Sequence, residues 1–347
     1  MQLETTRMKH LAILAKLACV LLLHMVASGI AHSDGEKLYR TGLRVECGNF
    51  AISPNGESLI FDTRTFGYRL RLIDLKSGEN RTLPQEPDRD WRMVRWGNDG
   101  RHLVAISTLI RDSNYIIGDQ RVILVDSRDW SHRVVAEGDG VKISPFFSAD
   151  GKSIYYFKGK ARTSGKTLAA GFDLYSIDLA SLKEEKLTDQ AFYQVSVGEM
   201  TPDGNTVLFS GIGAKNFPGL KNALGVLRDL IFAFDTRSKR LTPITDNIPP
   251  ALLGQTRPRL DANGAIYFKS ATKGPRPFYD FSVYKMAKSG ESPARVITEL
   301  ASWASFEIDK RSGDIFTPEM QHGELVFRRT TASRSGLNQT LSTGATP

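Results

Sequence analysis

The chain has 347 residues, 41% of them hydrophobic, 24% charged and 9% aromatic, with 30 glycines, 15 prolines and a formal charge of +8. That composition excludes a disordered, collagenous or coiled-coil protein and leaves an ordinary globular chain. Two domains would suit the length, but all-β barrels and propellers of this size also form single units.

The first 33 residues read as an export signal. Arg7, Lys9 and His10 open it, residues 17–26 form an apolar core broken by His24, and Gly29 and Ala31 have the spacing of a small-residue cleavage site. Cleavage is expected after Ala31 or Ser33. The core holds about ten residues against the roughly twenty that span a bilayer, and Lys16 blocks its extension, so a cleaved leader is expected over a retained anchor. Cys19 precedes the main apolar run, the wrong order for a lipid acceptor. Without the leader Cys47 stands alone, flanked by Val45 and Phe50, and reads as a small buried hydrophobe with no disulfide partner. The mature chain carries about +6.

From residue 53 onward a turn recurs: Ser53-Pro54-Asn55-Gly56, Gly97-Asn98-Asp99-Gly100, Ser148-Ala149-Asp150-Gly151, Thr201-Pro202-Asp203-Gly204, Asp261-Ala262-Asn263-Gly264 and, more weakly, Lys310-Arg311-Ser312-Gly313. The glycines lie 44, 51, 53, 60 and 49 residues apart. Asn-Gly and Asp-Gly supply the positive φ angles of a tight hairpin. Each turn is followed by a β-rich run, at 58–61, 102–106, 153–157, 206–209, 265–268 and 314–316. After a loop of variable length comes a second run, which ends in an acid in the first four copies: Asp74, Asp126, Asp178 and Asp235. A basic edge segment closes the first five units, as in Arg240-Leu241-Thr242.

Adding the strand before each turn, for example 194–200, gives four strands in about 50 residues with no helical pattern between them. This predicts an all-β fold, a six-bladed β-propeller of four-stranded antiparallel blades over residues 34–330. The sixth copy lacks its fourth strand, and residues 36–45 are free to supply it, so the ring is expected to close with an N-terminal strand. Residues 331–347, rich in Ser, Thr and Gly, read as a disordered tail.

These turns, the strand ending at Phe234-Asp235 and the closing Leu241-Thr242 resemble the WD40-like repeats of the TolB-type family, over residues 36 to 330. The resemblance implies the fold and a periplasmic binding habit. In that family an α/β domain precedes the propeller, whereas about 20 residues separate the leader from the first turn here, so no Tol-system role and no individual binding residue is carried over.

The sequence has no Gly-x-Ser-x-Gly elbow, P-loop, dinucleotide fingerprint or calcium loop. Past the leader the histidines are His102, His132 and His322, at unlike repeat positions, which does not make a metal cage. No cofactor and no metal site is expected. The strand-end acids read as turn residues bonding nearby backbone N–H groups.

The loops between the second and third strands carry an excess of bases interleaved with aromatics. Arg64 and Arg69 belong to the first, Lys160, Arg162 and Lys166 to the third, Lys215, Phe217 and Lys221 to the fourth, and Lys273, Arg276, Phe278 and Tyr279 to the fifth. Arg111 and Arg121 fall in the second. Leu220, Leu224 and Leu227 give the fourth loop a near-helical spacing. Equivalent loops emerge on one face, so these residues form a candidate binding face. The expectation is an exported, periplasmic or secreted, non-catalytic propeller that binds a protein or an anionic glycan of the cell envelope, with no nucleic acid and no membrane span after cleavage. The alternative is a propeller enzyme, a glycan lyase or lactone hydrolase, with its site at the central channel.

Overall fold

The computed structural model describes residues 36–63, 69–112, 114–161, 169–216, 228–248, 252–273, 279–287 and 291–331. The expected leader, nearly all of the expected tail and the near-helical leucines of the fourth loop lie outside these residues. The described residues are all-β, without a helix, and form six four-stranded antiparallel blades arranged as a propeller. None of them forms a helix long and apolar enough to cross a membrane.

Blades one to five are each continuous in sequence. Their innermost strands are Cys47–Ile52, Arg89–Trp96, Val141–Phe147, Gln194–Met200 and Thr256–Leu260. The sixth sheet runs, from inside to outside, Glu307–Ile308, Ile315–Gln321, Glu324–Thr330 and Glu36–Arg40. Beyond that outer strand, Thr41 N donates to Leu325 O at 3.2 Å and Leu325 N to Leu43 O at 2.7 Å. Gly42 N donates to Glu324 Oε1 at 2.8 Å.

The turn chemistry explains the first hairpin of every blade. Gly56, Gly100, Gly151, Gly204, Gly264 and Gly313 all have positive φ, between 65° and 79°. In the first turn Ser53 Oγ accepts from the backbone N–H of Ser58 at 2.9 Å, and Ser148 Oγ does the same for Ser153. The strand-end acids close the next turn in the same local way. Asp74 Oδ1 accepts from Ser77 N, Asp178 Oδ1 from Ser181 N and Asp235 Oδ1 from Ser238 N, each at 2.7 Å. These backbone and side-chain hydrogen bonds from Ser77, Ser181 and Ser238 hold the three carboxyls below their ordinary range.

The core consists of six apolar clusters, each wedged between neighbouring blades. Phe157, Phe192, Phe209, Phe232 and Phe234 fill the gap between blades three and four. Tyr39, Cys47, Phe50, Phe61, Phe316 and Phe327 fill that between blades six and one. Cys47 is buried there, as a small hydrophobe. Full burial of one such side chain is worth about 1.5–3 kcal/mol relative to exposure, so these wedges outweigh the short outer strands in holding the blades together.

Several segments read as loops are strands. In blade two the second and third strands run to Arg111 and from Asn114, so Arg111 and Arg121 lie within a long hairpin. Lys160, Lys273 and Tyr279 also lie in strands, Ser153–Ala161, Ile266–Lys273 and Tyr279–Met286. The β-branched and aromatic residues there continue the pairing outward, past the end of the compact blade.

Candidate functional site

The innermost strand of each blade enters its turn with the same geometry, and this sets a ring of equivalent positions. In the sixth blade the backbone bonds of Asp309 to Asp314 and Gly313 make Asp309 the opening residue of the turn. Two residues before Ser53, Gly97, Ser148, Thr201, Asp261 and Asp309 stand Ala51, Arg95, Phe146, Glu199, Arg259 and Glu307. Each faces a residue near the start of its blade's second strand: Ile60, Val104, Tyr155, Leu208, Tyr267 and Phe316. Just before this ring the register slips in five blades, by a bulge such as Arg92/Arg95 or Thr256/Arg259. Met93, Ser144 and Arg257 take positive φ there, at 54°, 52° and 55°. A bulge adds a residue to one strand and re-aims the side chains that follow it.

The ring lines a cavity of about 400 Å³ that also touches the turns, at Pro54, Asn98, Ala149, Pro202 and Lys310 among others. The cavity therefore opens at the turn end of the propeller. Its charges are joined across blades. Arg259 grips Glu307 side-on, Nε to Oε2 at 2.8 Å and Nη2 to Oε1 at 2.6 Å. Arg95 of blade two reaches past blade one, where Ala51 leaves room, and donates Nη1 to Phe50 O at 3.1 Å and to Glu307 Oε1 at 2.5 Å. Glu199 accepts from Leu260 N at 3.1 Å and pairs with Lys310 at 2.6 Å. On the remaining side the Phe146 ring lies where a Cβ on Gly198 would stand, 2.4 Å from it, so only glycine fits under that ring.

Burial by itself would raise the Glu307 carboxyl, but Arg259 and Arg95 outweigh it and hold the group ionised, below its ordinary value. Arg95 is lowered, chiefly by burial and then by Arg259, with Glu307 opposing. Arg257, one bulge deeper on the strand of Arg259, is pushed down to about 10 by burial and by the neighbouring Arg259 and Arg95. Among the described residues Arg257 has no hydrogen-bond or ion-pair partner. Three cations, Arg95, Arg259 and Lys310, thus line the cavity with two carboxylates, Glu199 and Glu307. Arg95 uses only Nη1, so its Nε and Nη2, the edge that grips a carboxylate bidentately, have no protein partner among the described residues.

The face chosen from the sequence lies at the other end. A second strand runs away from its turn, so the connections to the third strands emerge opposite the cavity. Arg69 there donates to Gln85 O at 2.9 Å, and Lys215 pairs with Asp189 at 3.5 Å. Lys160 is exposed, and Lys273 is paired in register with Tyr279, itself 48% exposed. Lys273 and Tyr279 are neighbours; the others sit in separate blades. Arg64, Arg162, Lys166, Phe217, Lys221, Arg276 and Phe278 lie outside the described residues. The sequence reading missed the ring because it followed the turn glycines and not the residue two places before each turn, where the signal lay.

Two of the histidines are held by neighbours. His102 Nδ1 lies 2.5 Å from Asp99 Oδ2, and His132 packs edge-on to Trp91 at 4.9 Å beside Glu86. Among the described residues no three His, Cys, Asp or Glu side chains converge on one point.

No family model and no curated protein matches the sequence. Solved structures do. TolB from Acinetobacter baumannii is similar at 13% identity and TM-score 0.51, over 89% of this chain and 67% of that one. A putative TolB from Agrobacterium tumefaciens is similar at 16% identity and TM-score 0.57, over 85% of this chain and 97% of that one. An oligogalacturonate lyase in complex with manganese is similar at 14% identity and TM-score 0.52, over 82% of this chain and 77% of that one. At these identities the likeness is one of fold: the six blades are those of a propeller whose structural neighbours include TolB-type proteins.

Proposed function

We propose that the chain is an exported, non-catalytic binding module of the cell envelope, and that it recognises an anionic group of its partner in the turn-end cavity. The observation that carries this reading is the Nε–Nη2 edge of Arg95, without a protein partner among the described residues, in a cavity lined by the cations Arg95, Arg259 and Lys310 and the carboxylates Glu199 and Glu307. The similarity to TolB-type propellers supports a binding role, and the leader-like first 33 residues support export.

A photo-crosslinking residue in place of Pro202, at the cavity mouth, tests this against one in place of Lys160, at the other end. Capture of an envelope partner from position 202, lost when Arg95 is changed to Gln, is the expected result. Capture from position 160 alone would move the site to the basic loop face.

The second reading, a glycan lyase or lactone hydrolase at the central channel, draws on the similarity to the oligogalacturonate lyase. Stoichiometric metal in the purified protein, with turnover of an acidic glycan or a lactone, would establish it instead.

A further inference from the structure

A second cavity, of about 450 Å³, lies between blades two and three, a volume within the range of small-molecule sites. Two side chains of blade two cross it to backbone carbonyls of blade three. Asn98 Nδ2 donates to Ala149 O at 3.1 Å on the side of the channel, and Arg133 Nη2 donates to Leu179 O at 3.2 Å from the outermost strand, His132–Ala136. Leu124, Phe147 and Leu179 give the cavity apolar patches, and Asp99, His102, Arg133 and Asp150 its charged and polar groups.

The turn beside this cavity departs from the repeat. In blades one, three and four the hydroxyl that opens the turn, on Ser53, Ser148 or Thr201, accepts the backbone N–H five residues on at 2.9 to 3.0 Å. Blade two has Gly97 there, and the equivalent N–H, that of His102, goes to Asp99 Oδ1 at 2.9 Å instead. The missing side chain permits this, since a Cβ on Gly97 would stand 3.0 Å from Asp99 Oδ1. Asp99 Oδ2 then holds the imidazole of His102, 2.5 Å from Nδ1, where the other three blades have Ser58, Ser153 and Thr206.

Burial would raise the Asp99 carboxyl, but its bonds from the His102 backbone and ring and from the Arg101 N–H outweigh burial and hold it ionised. An ionised carboxylate only accepts, so the neutral ring donates from Nδ1 and keeps its lone pair on Nε2. Asp150 Oδ1 is taken by Ser148 Oγ and Lys152 N. His102 Nε2 and Asp150 Oδ2 as acceptors, and Arg133 Nε and Nη1 as donors, have no partner among the described residues. Asp99, Arg133 and Asp150 are exposed, so solvent and salt screen any attraction to a charged ligand. Oriented single donors and acceptors between apolar patches match a carbon ring whose hydroxyls both donate and accept.

We infer that this cavity is a second binding site, independent of the channel, for a short uncharged saccharide whose hydroxyls donate to His102 Nε2 and Asp150 and accept from Arg133.

The test titrates the full chain with cellobiose, lactose and diacetylchitobiose, with binding read by saturation-transfer NMR. At least one should bind with a Kd of about 1 mM or tighter, and added salt should leave it bound. Gly97→Ser and His102→Ser give blade two the residues that blade one has at 53 and 58, so the hairpin keeps a cap, and an unchanged urea midpoint checks it. Each should weaken the saccharide about tenfold. Citrate, an anion suited to the channel, should not displace it. No binding of the three at about 10 mM, or undiminished binding by both variants, would overturn the inference and leave the anion site in the channel standing. Displacement by citrate would overturn the independence of the two sites, and salt-sensitive binding of free leucine tighter than any of the saccharides would overturn the uncharged ligand.

Discussion

Glu307 and Asp229 are two carboxyls removed from water at opposite ends of the propeller, and their protons behave in opposite ways. Glu307, at the turn end, sits between two guanidinium groups and stays ionised below its ordinary value. Asp229, where the third strand of blade four begins, lies against Gly254, has no partner for its carboxylate among the described residues, and is pushed up to about 7 by burial. Burial therefore does not decide charge in this molecule; the neighbours do. The turn end is built from ionised groups that cross-link the blades. The loop end carries exposed bases on separate blades and two acids, Asp62 and Asp229, that burial drives towards their neutral forms.

Removing the centre of the turn-end network should give the largest effect. Glu307→Gln leaves Arg95 and Arg259 without their shared carboxylate, and urea denaturation should report a loss of about 3–5 kcal/mol. A loss under 1 kcal/mol would mean that the network is solvated and does not tie the blades together. The pH dependence has a definite sign. Because the folded carboxyl lies below its unfolded value, its stabilisation is present above about pH 4.5 and is lost as the pH falls through the folded value.

Asp229 should show the reverse slope. Its folded value of about 7 stands above the unfolded 3.8, so the folded state binds the extra proton, and stability should decline as the pH rises from about 4 to 7. Denaturation at pH 5 and pH 8 should find the protein less stable at pH 8, by about 1–3 kcal/mol once partial solvation is allowed for. Asp229→Asn should flatten that difference; an unchanged slope would place its origin elsewhere.

A smaller effect separates shape from charge at the turn end. Gly198→Ala puts a methyl group 2.4 Å from the Phe146 ring and should cost about 1–3 kcal/mol in thermal or urea unfolding, while the ion pairs of the ring stay intact. At the loop end, Lys160→Glu with Lys273→Glu should change stability by less than about 0.5 kcal/mol, since both are exposed and neither has an ion pair among the described residues. Loss of partner capture in this variant, abolished by raised salt, would show that the basic rim shares in binding.

The first hairpin of each blade was legible because it is made within a few residues. Asp-Gly and Asn-Gly dictate the turn, Ser53 and Ser148 bond residues five places on, and the acids at 74, 178 and 235 bond serines three places on. The outer strand of the sixth sheet was harder to bound. Residues 36–45 were proposed, and the strand covers Glu36–Arg40, with Thr41 to Leu43 continuing as single hydrogen bonds. The long hairpin of blade two and the strand positions of Lys160 and Lys273 escaped notice because polar residues at the end of a blade read as loop whether or not their backbones remain paired.

The sequence by itself determined the period, the six turns and the all-β architecture, since each rests on contacts between residues close along the chain. Which charges meet was decided by the tertiary structure alone. Arg95 and Glu307 are 212 residues apart and come together because six blades turn one position of each inner strand into the same channel, and a bulge in that strand sets its aim. Turn chemistry is local and can be read from neighbouring residues, whereas the electrostatics of the channel depend on side chains from different blades, far apart along the chain.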